Sequence, residues 1–209
     1  MIEKYDVLGL KRAHEEYIKR EGRHKFYDMA QKLMRDGYVT EARILLLYGW
    51  NSAWLAKLSI NFNLEIFEKT LEDCKPYFDK LRGKNLLEIR LKDYEAEIKA
   101  IFVKLTSIKE IKYTGASKLL SLEIPDLFVM WDKKIRGSHD IDEKEPDEYF
   151  HFLEKTQEMA KGIVWISEEC DNITLAKAID EYNYMCALNE KECSKKTQKK
   201  SRNLKSLEV

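Results

Sequence analysis

The sequence predicts an all-α protein, and three observations predict it. Glycine (8) and proline (3) are scarce among 209 residues. Charged residues reach 35%, mostly Lys and Glu, which favour helices over a sandwich or barrel. Apolar residues recur at three- and four-residue spacing along most of the chain, and no sustained alternation marks a strand. The length fits one domain, or two small helical lobes sharing a core. Hydrophobic residues at 44% and aromatics at 11% are enough to bury that core.

The elements follow in order. A first helix is expected from about Lys4 to Lys19, with Tyr5, Leu8, Tyr17 and Ile18 available for burial and Gly22 ending it. Phe26, Met29, Ala30, Leu33 and Met34 fall at i, i+3, i+4, i+7 and i+8, a one-sided helix that stops at Gly37. Thr40 is placed to N-cap a more buried helix from Glu41 to Trp50, and Asn51 and Ser52 to restart a turn carrying Trp54, Leu55 and Leu58. Asn63 caps a helix with Leu64, Phe67, Leu71 and Cys74 on one face. Pro76 is expected to kink or restart it, and Gly83 closes it. Asp93 is expected to cap a helix carrying Ile98, Ile101, Phe102 and Leu105. Ser107 to Ile111 leads into a turn at Gly115. An acidic loop spans Ser138 to Glu148. Tyr149, Phe152 and Leu153 open one more helix, and Ile173, Ala176, Ile179 and Tyr182 mark the last, which fades near Asn189.

The chain is neutral overall but divides by charge. Residues 191–209 carry seven basic groups against two acidic ones, a net +5 that leaves residues 1–190 at −5. The tail lacks apolar periodicity and reads as a disordered basic extension of a globular unit over 1–190. A globular part of that balance does not advertise a broad nucleic-acid footprint, so phosphate binding has to come from a local patch or from the tail.

The segment richest in chemistry is Tyr113 to Arg136, reading YTGASKLLSLEIPDLFVMWDKKIR. It predicts a helical hairpin whose turn contains Gly115, where glycine permits positive φ or the close approach of another backbone. The helix after the turn exposes N–H groups that, with its dipole, suit a phosphate, and Lys112 and Lys118 flank them. Pro125 stops that helix. Leu127 to Met130 then carry the chain across an apolar surface and deliver Trp131 and Asp132. Two roles stay open for this acid, and they can coexist. It can N-cap the helix beginning near Lys133, or it can work in a cleft on water or a developing cation.

Hairpin, helix, proline-bounded apolar run and terminal aspartate occur in this order in the helix-hairpin-helix DNA glycosylase superfamily, and residues 107–136 resemble that segment. The same stretch is similar to a set of microbial proteins sharing a T-G-A-S-K … P-D-L-F-V-M-W-D-x-x-I-R pattern. The resemblance implies two helical lobes with a cleft between them and double-stranded DNA as partner. It implies a backbone grip by Gly115, Ala116, Ser117 and Lys118 with Lys112 beside them, and Asp132 as the catalytic acid on an extruded base. The family's first hairpin glycine is replaced here by Tyr113. Its strand-cutting lysine falls on Ser117, with Lys118 one residue further on. The resemblance therefore implies a monofunctional glycosylase, and no cofactor. The alternative is a non-catalytic helical protein that binds DNA or another protein, with Asp132 kept as a helix cap.

Trp50, Asn51, Trp54 and Trp131 are candidates for a base pocket, because indole rings stack on bases, though core packing is the commoner use of such residues. The acidic loop lacks the glycine and ordered spacing of a calcium site, and no HExxH pair or cysteine spacing suggests a metal. Cys74, Cys170, Cys186 and Cys193 read as reduced thiols. The longest apolar run, Ile44 to Tyr48, is too short to span a bilayer, and nothing resembles a signal peptide. A cytoplasmic protein without a membrane partner is expected.

Overall fold

The computed structural model describes residues 4–50, 62–139, 141 and 145–189. Among them the chain is all-helical, without a strand. The first helix, α1 (Val7–Arg20), starts later than expected because Asp6 caps it, accepting from Gly9 N. Its buried face is Leu10, Ala13, His14 and Tyr17, so Leu8 and Ile18 lie outside it. In α2 (His24–Arg35), Tyr27 and Ala30 are buried while Met29 is exposed, a face rotated from the one the periodicity suggests. Gly37 ends the connection at φ +88°, the left-handed region that favours glycine. Thr40 is not the cap of α3 (Val39–Gly49). It lies inside the helix and donates its hydroxyl to Glu68. The expected turn with Asn51, Trp54, Leu55 and Leu58 lies outside the described residues, as does the basic tail.

Asn63 does cap α4 (Leu64–Leu81), accepting from Ile66 N. Pro76 does not restart it, and the helix runs on through the proline. The bond Pro76 cannot donate would go to the carbonyl of Glu72, and both residues sit on the exposed face, where water replaces the partner. Asp93 falls in a 3-10 turn (Leu91–Tyr94) ahead of α5 (Glu95–Ser107) and does not cap it. Ile98, Ile101, Phe102 and Leu105 of α5 are all fully buried.

The turn after α5 sits at residues 108–111, not at Gly115. The positive φ expected of Gly115 belongs to Lys112, at +52°, where α6 (Lys112–Glu123) begins. Gly115 is a helical residue whose missing side chain admits its neighbours. A Cβ there would meet Ile111 Cγ2 at 2.9 Å and Leu47 Cδ2 at 3.3 Å. Every residue of α6 from Gly115 to Leu122 is buried, because α2, α3 and α5 all pack on it. A helix covered on all sides is central scaffold.

Beyond Pro125 the run Leu127–Trp131 is buried throughout. It leads to α7 (Lys133–Ser138), then α8 (Pro146–Met159), a short 3-10 turn (Ser167–Glu169), and α9 (residues 175–189). Most buried apolar side chains form one large cluster, joined by two small ones. The smaller include Tyr27, Leu46 and Met130, and Ala13, Tyr17 and Met185. Trp131 belongs to the main core. Its ring stacks on Tyr149 (5.4 Å between centroids, 22° between planes) and lies near Phe102 and Phe152.

Candidate functional site

One side-chain bond organises the site. Ser117, on α6, accepts from the backbone N–H of Trp131 at 3.0 Å. That bond pins the apolar run against the central helix, and it brings the two following residues, Lys118 and Asp132, into one cleft. Tyr17, the loop residues Glu21 and Arg23, Trp50, and Asp180 and Tyr184 of α9 line it with them. The cleft opens to solvent; it holds about 50 Å³ of space for water, and about 410 Å³ when the solvent in its mouth is counted.

Lys118 is 7% exposed, and its Nζ donates to the Trp50 carbonyl at 3.0 Å. Burial disfavours the ammonium and lowers its pKa to about 8, against the opposing pull of Asp132 and Asp180. Asp132 is half-buried and N-caps α7, its Oδ1 accepting from Lys134 N (2.7 Å) and Ile135 N (2.9 Å). Both bonds fall on one oxygen, so Asp132 caps α7 while it lines the cleft. Trp50 stacks on Tyr27 (5.6 Å, 15°) and donates its indole N–H to the Arg23 carbonyl at 2.7 Å. Glu21 takes two bonds from the Arg23 guanidinium and one from the Tyr184 hydroxyl. The Arg23 bonds, above all, hold its carboxyl down at about 2.

The expected site residues therefore divide. Asp132, Lys118 and Trp50 meet in the cleft. Gly115, Ala116 and Ser117 do not offer a phosphate grip. They are buried in α6, and Ser117 serves the Trp131 backbone instead. Trp131 is no pocket wall, being fully buried in the aromatic core. Lys112 is exposed at the start of α6. Asn51 and Trp54 lie outside the described residues.

Sequence reasoning missed the charges of α9. Lys177 (3% exposed), Asp180 (6%) and Glu181 (2%) are all buried. Their i, i+3, i+4 spacing is that of an ordinary exposed ion pair. The signal lay in their neighbours: apart from these three and Asn183, residues 175–188 are apolar or aromatic, which leaves only one narrow polar stripe on the helix. Lys177 bonds Asp180 at 2.9 Å and Glu181 at 3.1 Å. Burial works against its ammonium, but these carboxylates prevail and raise its pKa well above the ordinary value. Burial raises Asp180 to about 6 even with Lys177 beside it.

Comparison with protein-family models, with curated proteins and with solved structures finds no match to this chain. Among the described residues no helix is long and apolar enough to cross a membrane.

Proposed function

We propose that this cleft is a base-excision site for DNA, of the helix-hairpin-helix glycosylase kind, in which Lys118 supplies an amine and Asp132 a carboxylate. The observation that carries the reading is a buried primary amine held at about 8 in the same cleft as an acid. An amine so depressed is partly unprotonated at neutral pH and acts as a nucleophile. In the proposed step the Lys118 amine attacks C1′ of an extruded nucleotide, the bond from C1′ to the base nitrogen breaks, and the base leaves protonated. Asp132 accepts the proton that the attacking nitrogen loses and returns it to the departing base nitrogen.

This departs from a monofunctional enzyme, since Lys118 takes the place that residue-by-residue correspondence gives to Ser117. On this reading Trp50 turns away from Tyr27 to admit an extruded nucleotide. The reading also asks for two helical lobes flanking the cleft and for the hairpin of α5 and α6 to face the DNA backbone. Lys112 and Lys133, both exposed at helix starts, are the groups available for phosphates.

The test is reductive trapping. The full chain is incubated with a duplex carrying an abasic site in the presence of borohydride, and the adduct is located by peptide mapping. A covalent adduct on Lys118 that is lost in Lys118→Met supports the proposal. Absence of both adduct and strand incision refutes it. Asp132→Asn is expected to abolish excision across a lesion panel while sparing binding, and excision surviving that change removes Asp132 from the chemistry.

A second reading has its own observation, the two backbone bonds to Asp132 Oδ1. On that reading Asp132 is a helix cap in a non-catalytic protein binding DNA or another protein. Asp132→Ala then lowers stability by about 1 kcal/mol with no activity to lose.

A further inference from the structure

The buried charges of α9 join the cleft to the surface in an unbroken series of short contacts. Asp180 lines the cleft with Lys118 and Asp132. Its Oδ2 accepts from Lys177 Nζ at 2.9 Å. The same Nζ lies 3.1 Å from Glu181 Oε1. The other oxygen of Glu181, Oε2, is 2.6 Å from His14 Nδ1, and His14 Nε2 is 3.1 Å from Asp171 Oδ2. The Asp171 side chain is 74% exposed, so the series ends in solvent. Nothing about stability calls for it. Buried ions cost several kcal/mol each in desolvation, and an apolar α9 of the same volume would pack as well.

We infer that Asp180, Lys177, Glu181, His14 and Asp171 form a proton relay between the cleft and bulk water. The inference rests on the proposed cleft chemistry for its purpose but not for its geometry. An amine held as an ammonium must shed a proton before it attacks, and the relay gives that proton a fixed path beside the cleft's open mouth.

The balance is simple. A proton arriving on Asp180 passes to Lys177 Nζ as that ammonium hands one of its own to Glu181. Glu181 passes one to His14 Nδ1 as His14 Nε2 releases one to Asp171 and water. One proton leaves at the surface, and each interior group ends with the number it began with.

The side walls favour this path over leakage. Lys177 is enclosed by Tyr17 (4.7 Å from Nζ to ring centroid), Tyr27 (5.1 Å) and Trp50 (5.1 Å). The rings leave its two carboxylate partners as the way out. At the outer end the titratable and charged neighbours are Glu15, Cys170 and the Lys11–Glu169 pair. At the inner end they are Lys118, Asp132, Glu21 and Arg23. Burial opposes charge on His14, but the Glu181 and Asp171 carboxylates outweigh it and raise its pKa; the ring passes a proton in its neutral form, with Nδ1 open toward Glu181 and a proton on Nε2 toward Asp171.

The experiment needs no nucleic acid, so its outcome is independent of the glycosylase reading. In full-length protein labelled with ¹⁵N-lysine, exchange of the Lys177 Nζ protons with water is measured by NMR. His14→Gln preserves size and polarity but cannot pass a proton by titrating. The expected result is exchange slowed by about a hundredfold, the low end of what a positioned acid–base group contributes. Unchanged exchange in a folded His14→Gln overturns the relay. A second measurement on the wild type covers a variant that fails to fold. Through a relay the exchange rate follows the His14 titration read from its own ring signals. A rate that follows hydroxide concentration alone across that titration also overturns it.

Discussion

Replacing Lys118 by methionine is expected to stabilise the protein. The difference between the ordinary 10.5 and about 8 in the fold corresponds to about 3 kcal/mol favouring the unfolded state whenever both states are protonated. Methionine fills the same space without a charge. The change also removes the bond from Nζ to the Trp50 carbonyl, which contributes about 1 kcal/mol. The net gain is about 2 kcal/mol at pH 7, or roughly 4–8 °C in Tm for a chain of this size. The sign with pH is fixed. Between about 8 and 10.5 the unfolded lysine holds its proton and the folded one does not. Wild-type stability therefore rises with pH over that window relative to the variant, and the two converge toward its upper end. Thermal and urea unfolding of both proteins from pH 6 to pH 10, followed by circular dichroism, measure this directly. A Tm that falls on substitution, or a stability difference independent of pH, would refute a buried, depressed Lys118 and with it the basis of the proposed chemistry.

Other outcomes follow from the same contacts. Asp132→Asn is expected to keep the α7 cap and the melting temperature, whereas Asp132→Ala loses about 1 kcal/mol, read by urea unfolding. Gly115→Ala sets the gain of a better helix former, about 1 kcal/mol, against crowding on Ile111 and Leu47 of about 1–3 kcal/mol. A net loss of about 1 kcal/mol is expected, and a gain in Tm would show that α6 has room there. Glu21 lies at about 2 in the fold, so its bonds to Arg23 stabilise above the ordinary carboxylate range and are lost as pH falls from 4.5 toward 2. Because Arg23 is 45% exposed, solvent screening reduces that contribution to about 1–2 kcal/mol. Glu21→Gln should remove that part of the acid sensitivity in a pH-dependent melt. His14 works in the opposite direction. Its raised pKa stabilises fully below 6.5, and the contribution is lost as pH rises through the folded value, a slope that His14→Gln should flatten.

Local rules determined a good deal from sequence alone. Helical class follows from composition and spacing. The Asn63 cap, the stop at Gly37 and the buried face of α5 are each decided within a few residues, so they are legible without a fold. Asp132 as a cap is equally local, since the acceptor and its N–H partners lie within three residues. The errors came where distant segments decide. Gly115 looked like a turn because glycine permits positive φ, but its use here is to admit Leu47 from another helix. Met29 fits a helical stripe as well as Tyr27 does, and only the packing of α2 on α3 and α6 selects the face. Lys118 reads as a solvated flank until α6 is covered on every side, and its meeting with Asp132 depends on one bond between Ser117 and Trp131. The α9 charges carry an exposed pair's spacing and become a buried series only because α1 places His14 against Glu181. Sequence alone thus determined the helical class and the caps at Asn63 and Asp132, which depend on neighbours in the chain, but not those placed at Thr40 and Asp93. Tertiary structure decided which polar groups lose their water, because desolvation depends on every segment that packs over them.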